Sequence, residues 1–138
     1  MRMEKQWGVW TLDFRPDFTA AESGLDSFIY WNKEFIGKKA AEIEQQKGPK
    51  KKLVTLTIDS KEIDVSNDEA ILRNEKPIGY ISSGGYAHYI KKSLALGYVP
   101  TEHSKPETKL QVEILGEIFS AEVQGAPLYD PDGKKIRS

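Results

Sequence analysis

The chain has 138 residues, enough for one domain whose core needs neither disulfide nor metal, since a fold of this size buries roughly 68–70% of its unfolded surface. It has no cysteine, which excludes a disulfide scaffold, a thiol nucleophile and a Cys-based zinc site. Its 20 basic and 21 acidic residues leave a net charge of −1, which argues against a nucleic-acid partner.

No apolar run approaches the ~18 residues of a membrane span. Met1 to Trp7 lacks the apolar block of a signal peptide. A cytoplasmic protein with no membrane partner is the expectation.

In chain order, Met1 to Gln6 reads as the end of a helix, and Trp7 to Leu12 as a short apolar segment carrying two indoles. Arg15-Pro16-Asp17 is a turn. Thr19 and Glu22 have capping-box spacing, in which hydroxyl and carboxylate each serve the other residue's backbone N–H. Gly24 would end that short helix, and Leu25 to Trp31 is apolar enough for a strand or a buried loop.

Lys38 to Lys47 predicts a helix with a narrow Ala40/Ala41/Ile43 stripe, stopped by Gly48-Pro49. After a lysine lead-in, Val54, Leu56 and Ile58 alternate with Leu53, Thr55, Thr57 and Asp59, the period of a half-buried strand. Ser60 to Asp68 reads as an acidic surface loop. Ala70–Arg73 and Pro77–Ser82 read as strands of one hairpin joined at Asn74-Glu75-Lys76.

Ser82-Ser83-Gly84-Gly85 predicts a chain reversal, because glycine adopts turn angles without steric cost. Tyr86 to Lys92 then forms a loop, and Ser93 to Val99 returns as a strand that stops at Pro100. Thr101 to Thr108 is a polar connection. Leu110, Val112 and Ile114 alternate, Gly116 turns the chain into Ile118–Val123, and Pro127 to Ser138 is a Pro/Asp/Gly tail. Six short strands without a crossover helix predict a mainly β (α+β) fold. It is a six-stranded antiparallel barrel preceded by an irregular segment with one or two short helices.

Candidate chemistry is sparse. His88 and His103 lack a neighbouring ligand cluster and read as solvent or structural groups. The Ser/Gly run is followed by a loop and a strand, not by the helix start that a phosphate cradle requires. Among Glu4, Asp13, Asp17, Glu22 and Asp26 a general acid is conceivable, but spacing compels no pair to share an environment, and most read as surface groups. Eight aromatics between Trp7 and Phe35 bear two readings: core packing, or a wall on which a planar heterocycle stacks.

Several segments, in order, carry a family resemblance. Arg2-Met3-Glu4-Lys5 resembles an R-L-E-K/A segment, and Trp10-Thr11 stands where a Trp/Tyr-Gly pair is usual. Ala21 to Phe28 resembles E-A-G-L-x-x-F. Phe35 to Ala40 matches D-F-I-G-K/R-x-A, with Glu34 in place of the Asp. Ile78 to Gly84 matches I-G-x-x-T-S-G, Lys92 to Pro100 matches K-S-L-A-x-x-Y-V-P, and Pro127 to Pro131 resembles a closing P-L-Y-D-P. The chain thus resembles the C-terminal part of the glycine-cleavage T-protein (aminomethyltransferase) family, most closely the tail of dimethylglycine and sarcosine dehydrogenases.

That resemblance implies a tetrahydrofolate-dependent enzyme that moves a one-carbon unit from an aminomethyl donor to tetrahydrofolate. It implies that residues 1–48 are the end of the folate-binding domain plus a linker helix, and that 49–138 are the C-terminal barrel. The family's essential Asp, and the Glu and Arg that hold the pterin, would precede this chain, so the chain alone is expected to be inactive and the remainder of the parent enzyme to be its partner. FAD is expected only if the parent is a dehydrogenase, and not on this chain, which lacks a Gly-rich dinucleotide loop.

By the same resemblance Trp7, Trp10, Ser27 and Phe28 would face the folate channel, with the Tyr86 loop at its mouth. Arg2 and Glu4 would be helix-end structural groups. The alternatives are a stand-alone barrel subunit docking on a separate folate domain, and a small barrel that stacks single-stranded nucleic acid on its aromatics.

Overall fold

The computed structural model describes residues 2–61, 63–135 and 137. The helix end expected at Met1 to Gln6, the loop Ser60 to Asp68 and the tail Pro127 to Ser138 each include residues outside that set (Met1, Glu62, Ile136 and Ser138). Six strands form one closed antiparallel barrel: β1 (Lys51–Ile58), β2 (Ala70–Arg73), β3 (Lys76–Ala87), β4 (Lys92–Pro100), β5 (Lys109–Ile114) and β6 (Glu117–Gln124). Around the barrel the order is β1-β4-β3-β2-β5-β6, and β6 pairs back onto β1 through Thr55–Ile58. The closed antiparallel barrel is the one the sequence pattern predicts, and every strand has a partner on both sides over at least part of its length.

The barrel interior follows the period-two reading. Val54, Leu56 and Ile58 of β1 meet Ile71, Ile81, Val112, Ile114 and Val123 in one core, while Leu53 and Thr57 stay half-buried and Thr55, between them, is buried as well. Two hairpins close through two-residue turns with positive φ at both positions, Asn74-Glu75 (51° and 62°) and Leu115-Gly116 (51° and 85°). Such turns match the right-handed twist of the strands they join.

Ser82 to Gly85 do not reverse the chain. β3 runs on to Ala87, and the reversal comes at His88–Lys91, where Lys91 has φ 55°. The glycines serve close approach instead. A Cβ on Gly84 would lie 2.6 Å from Val65 Cγ1, and one on Gly79 would lie 2.0 Å from the Tyr98 carbonyl oxygen. Val65 corrects the reading of its loop as surface: it is buried, and it plugs the core above β3.

β4 is buried on both faces from Ser93 to Val99. Ala95 and Val99 point into the barrel, whereas Leu94 and Leu96 point outward against Met3, Ala87 and Leu128. A strand covered on two sides reads as an unbroken apolar run, as Leu94 to Val99 does. Its outer cover is the N-terminal segment and the C-terminal tail.

That segment is mostly irregular, with 3-10 turns at Met3–Lys5 and Asp26–Phe28 and one α-helix, α1 (Lys38–Lys47), ended by Gly48. The capping-box bonds form, Thr19 N–H to Glu22 Oε2 (3.2 Å) and Glu22 N–H to Thr19 Oγ1 (3.1 Å), but they close a turn that does not continue as a helix. Leu25 to Trp31 is neither strand nor buried, because Phe28 and Tyr30 project into solvent. Among the described residues, no helix is long and apolar enough to cross a membrane.

Candidate functional site

Among the described residues, the one acidic side chain with no solvent exposure is Asp13, on the irregular segment where it folds over β3 and β4. Its Oδ1 accepts hydrogen bonds from Ser82 Oγ (2.5 Å) and Ser83 Oγ (2.6 Å). Its Oδ2 accepts from Val9 N–H (2.8 Å) and Arg2 Nη1 (3.3 Å). Its carbonyl oxygen accepts from Tyr98 Oη at 2.7 Å, and Tyr98 Oη also meets Ser23 Oγ at 2.9 Å.

Two adjacent serines reach one carboxylate oxygen because β3 carries a bulge. Ile81 pairs with Gly97 and Ser83 with Leu96, leaving Ser82 as the extra residue. A bulge re-aims side chains that would otherwise alternate across the strand. Such a carboxylate is saturated: four donors occupy both oxygens, which offsets the cost of burying a charge. With no solvent exposure and no free acceptor position, Asp13 fastens the segment to the barrel and has no route to act as a general acid. The reading of the acidic residues as surface groups is corrected for Asp13 and also for Glu4, which is buried and accepts the Tyr89 N–H at 2.8 Å.

Beside this anchor the Phe18 ring stacks on Tyr98 at 3.6 Å and 8°, with Tyr80 tilted against both and Lys51 Nζ 5.9 Å from the Phe18 centroid. Burial pushes the Tyr98 phenol above its ordinary 10.0, partly opposed by the Ser23 hydrogen bond. The aromatics of residues 7–35 thus divide. Phe18 packs, while Trp7, Trp10, Phe28 and Tyr30 stand exposed, Trp10 at 76% and Phe28 at 82%. Trp10 meets Phe14 edge-on at 5.9 Å and Trp7 lies 6.0 Å from Lys5 Nζ. Exposed rings of this size, two beside the Asp13 anchor and two on and just after the Asp26–Phe28 turn, are the kind of apolar surface that marks interaction sites.

The structure places the five ligand-facing candidates in three settings. Trp7 and Trp10 flank the Asp13 anchor, and Ser27 and Phe28 lie on the exposed Asp26–Phe28 turn. Tyr86 lies elsewhere, edge-on to His88 in a groove of about 620 Å³ beside Lys91, Lys92, Asp59 and Glu122. A cleft of about 900 Å³ lies between α1 and the Thr19–Glu22 turn and is lined by Ala20, Ile29, Trp31 and Ala41; Trp7, Trp10, Ser27 and Phe28 line neither it nor the Tyr86 groove. Among the described residues, no three His, Asp or Glu side chains converge as metal ligands.

Sequence reading missed Asp13, Ser82, Ser83 and Tyr98. The signal available was Asp13 set between Leu12 and Phe14, and two serines inside an apolar alternation.

Residues 51–130, the whole barrel, match the family model of the glycine cleavage T-protein C-terminal barrel domain. The human mitochondrial dimethylglycine dehydrogenase is 38% identical over 130 residues, covering 93% of this chain and 15% of that protein. The Prochlorococcus marinus aminomethyltransferase is 32% identical over 131 residues, covering 94% of this chain and 35% of that protein. The crystal structure of the glycine cleavage system aminomethyltransferase T from Bartonella henselae superposes with a TM-score of 0.84 at 26% identity, covering 94% of this chain and 37% of that one. The chain therefore spans well under half the length of these relatives, and both the non-barrel segment and the barrel fall inside the match. With its barrel order, its covering segment and its sequence all in agreement, the chain belongs to the glycine cleavage T-protein family, as a counterpart of its C-terminal barrel region.

Proposed function

We propose that this chain is the C-terminal portion of a tetrahydrofolate-dependent aminomethyltransferase, or of the folate half of a dimethylglycine or sarcosine dehydrogenase, and that it forms one wall of the folate channel. In this reading residues 1–48 end the folate-binding domain and 49–138 are the barrel. Trp7, Trp10, Ser27 and Phe28 face the folate-binding remainder, and Tyr86 stands at the channel mouth. Tetrahydrofolate is bound only in the assembled enzyme. FAD belongs to a dehydrogenase parent and not to this chain.

The chemistry is proximity: the folate amines are held near a one-carbon electrophile away from water. This chain supplies walls and no reacting group. The observation that carries the reading is the Asp13 anchor, a saturated buried carboxylate that fixes a non-barrel segment on the barrel while its aromatics point outward. Anchored on one side and bare on the other, the segment has the form of half an interface. A second reading, a separate subunit docking on a folate domain from another polypeptide, rests on the same exposed rings.

The test is reconstitution. The folate-binding polypeptide encoded in frame with this chain, or beside it, is assayed for methylene-tetrahydrofolate formation with and without residues 1–138. Activity that needs both parts is expected. Full activity without this chain, or no folate-binding polypeptide encoded with it, overturns the reading.

A further inference from the structure

The C-terminal tail follows the last strand, yet its contacts lie at the other end of the chain. Leu128 packs with Met3, Leu94 and Leu96 outside the barrel. The Tyr129 N–H donates to the Glu4 carbonyl oxygen at 3.1 Å. Lys5 Nζ donates to the Asp130 carbonyl oxygen and lies 3.5 Å from Asp130 Oδ2, and both side chains are over nine-tenths buried. Tyr129 meets Tyr89 edge-on at 4.4 Å, and Lys135 Nζ sits 5.1 Å and 5.4 Å from the two ring centroids.

Three pieces meet here: the Met3–Lys5 turn, the tip of the β3–β4 hairpin at Tyr89, and the tail. Glu4 joins the first two through its carboxylate and the Tyr89 N–H. In the tail, the Tyr129 N–H reaches Glu4, and the Gly133 and Lys135 N–H groups both donate to Asp130. A segment held by side-chain packing, an ion pair and ring contacts outside the barrel ladder opens locally at lower cost than a closed barrel unfolds.

We propose that residues 127–135 are a clasp, separable from the barrel, whose closure holds the Met3–Lys5 turn against the β3–β4 hairpin and so sets where Trp7 and Trp10 are presented. The Lys5–Asp130 pair is its fastening point. Lys5 is two residues from Trp7, so loosening the turn shifts the start of the aromatic segment, while Asp13 still holds its far end against Ser82 and Ser83. The clasp and the Asp13 anchor are thus two independent fastenings of one segment. This inference concerns the chain's own mechanics and stands whether or not folate is the ligand.

Amide hydrogen exchange on the full chain tests it, comparing Asp130→Asn, Lys5→Met and a chain ending at Ala126 with the unaltered protein. The tail deletion and at least one point variant are expected to speed exchange at the Tyr89 amide at least tenfold, and the point variants also at the Tyr129 amide. Amides of Leu56 and Leu96, in the barrel, should exchange as before. Unchanged exchange at Tyr89 in all three variants overturns the clasp. Uniform acceleration at barrel amides in the point variants also overturns it, because the tail would then belong to the barrel's own cooperative unit. Trp fluorescence gives an independent reading: a change on Asp130→Asn with unchanged far-ultraviolet dichroism is expected, and no change counts against presentation of the indoles.

Discussion

At the residue scale, Asp13 decides how the molecule is put together. Replacing it by Ala would take the carboxylate acceptor from the buried Ser82 and Ser83 hydroxyls, leaving Ser82 with the Leu96 carbonyl and Ser83 with the Met3 sulfur, and would remove the partner of the Val9 N–H. Lost charged hydrogen bonds and unpaired partners together predict a loss of about 3 kcal/mol in urea unfolding, with the denaturant slope kept. A surface role for Asp13 would give a change near zero.

Tyr98 makes a prediction with pH. Burial raises its pKa above 10.0, so the fold prefers the neutral phenol. That contribution is complete below the unfolded value near 10 and drains away as pH rises through the higher folded value. Tyr98→Phe loses the bonds to the Asp13 carbonyl and Ser23, about 1 kcal/mol at neutral pH. It should also flatten the alkaline decline in stability, and a decline equal to that of the unaltered protein would show that Tyr98 does not titrate with unfolding.

At the scale of elements, β1 was legible because its inward residues Val54, Leu56 and Ile58 alternate, while β4, buried on both faces, was legible as a continuous apolar run. The Ser82–Gly85 run misled, because glycine marks a turn and a close approach with the same letter. Only the partner across the gap separates them, and that partner, Val65, lies in a loop seventeen or more residues earlier. Gly84→Ala should cost about 1–3 kcal/mol as Val65 is pushed aside. Gly79→Ala, which drives a methyl into the fixed Tyr98 carbonyl oxygen, should cost at least the upper end of that range. Thermal denaturation ranks the two, and equal small losses would favour the turn reading for Gly84. Leu25 to Trp31 failed for the opposite reason: apolar composition predicts burial, but among the described residues nothing covers Phe28 and Tyr30.

At the scale of the molecule, a closed barrel wears a segment that is fastened on its inner side by Asp13 and bare on its outer side. The family and the antiparallel barrel were readable from ordered motifs and period-two strands. The Asp13 anchor was not, since it joins residues about seventy positions apart and depends on a bulge that no local pattern announces. The chain spans 35% of the aminomethyltransferase it matches, so the proposed role as one wall of a folate channel concerns the assembled protein.

Calorimetric titration with tetrahydrofolate, first into the chain alone and then into the chain joined with its folate-binding remainder, tests this most directly. No measurable heat for the chain alone and saturable binding by the assembly, weakened when Trp10 and Phe28 are replaced by Ala, is the predicted result. Saturable, stoichiometric binding of tetrahydrofolate by residues 1–138 alone would contradict it.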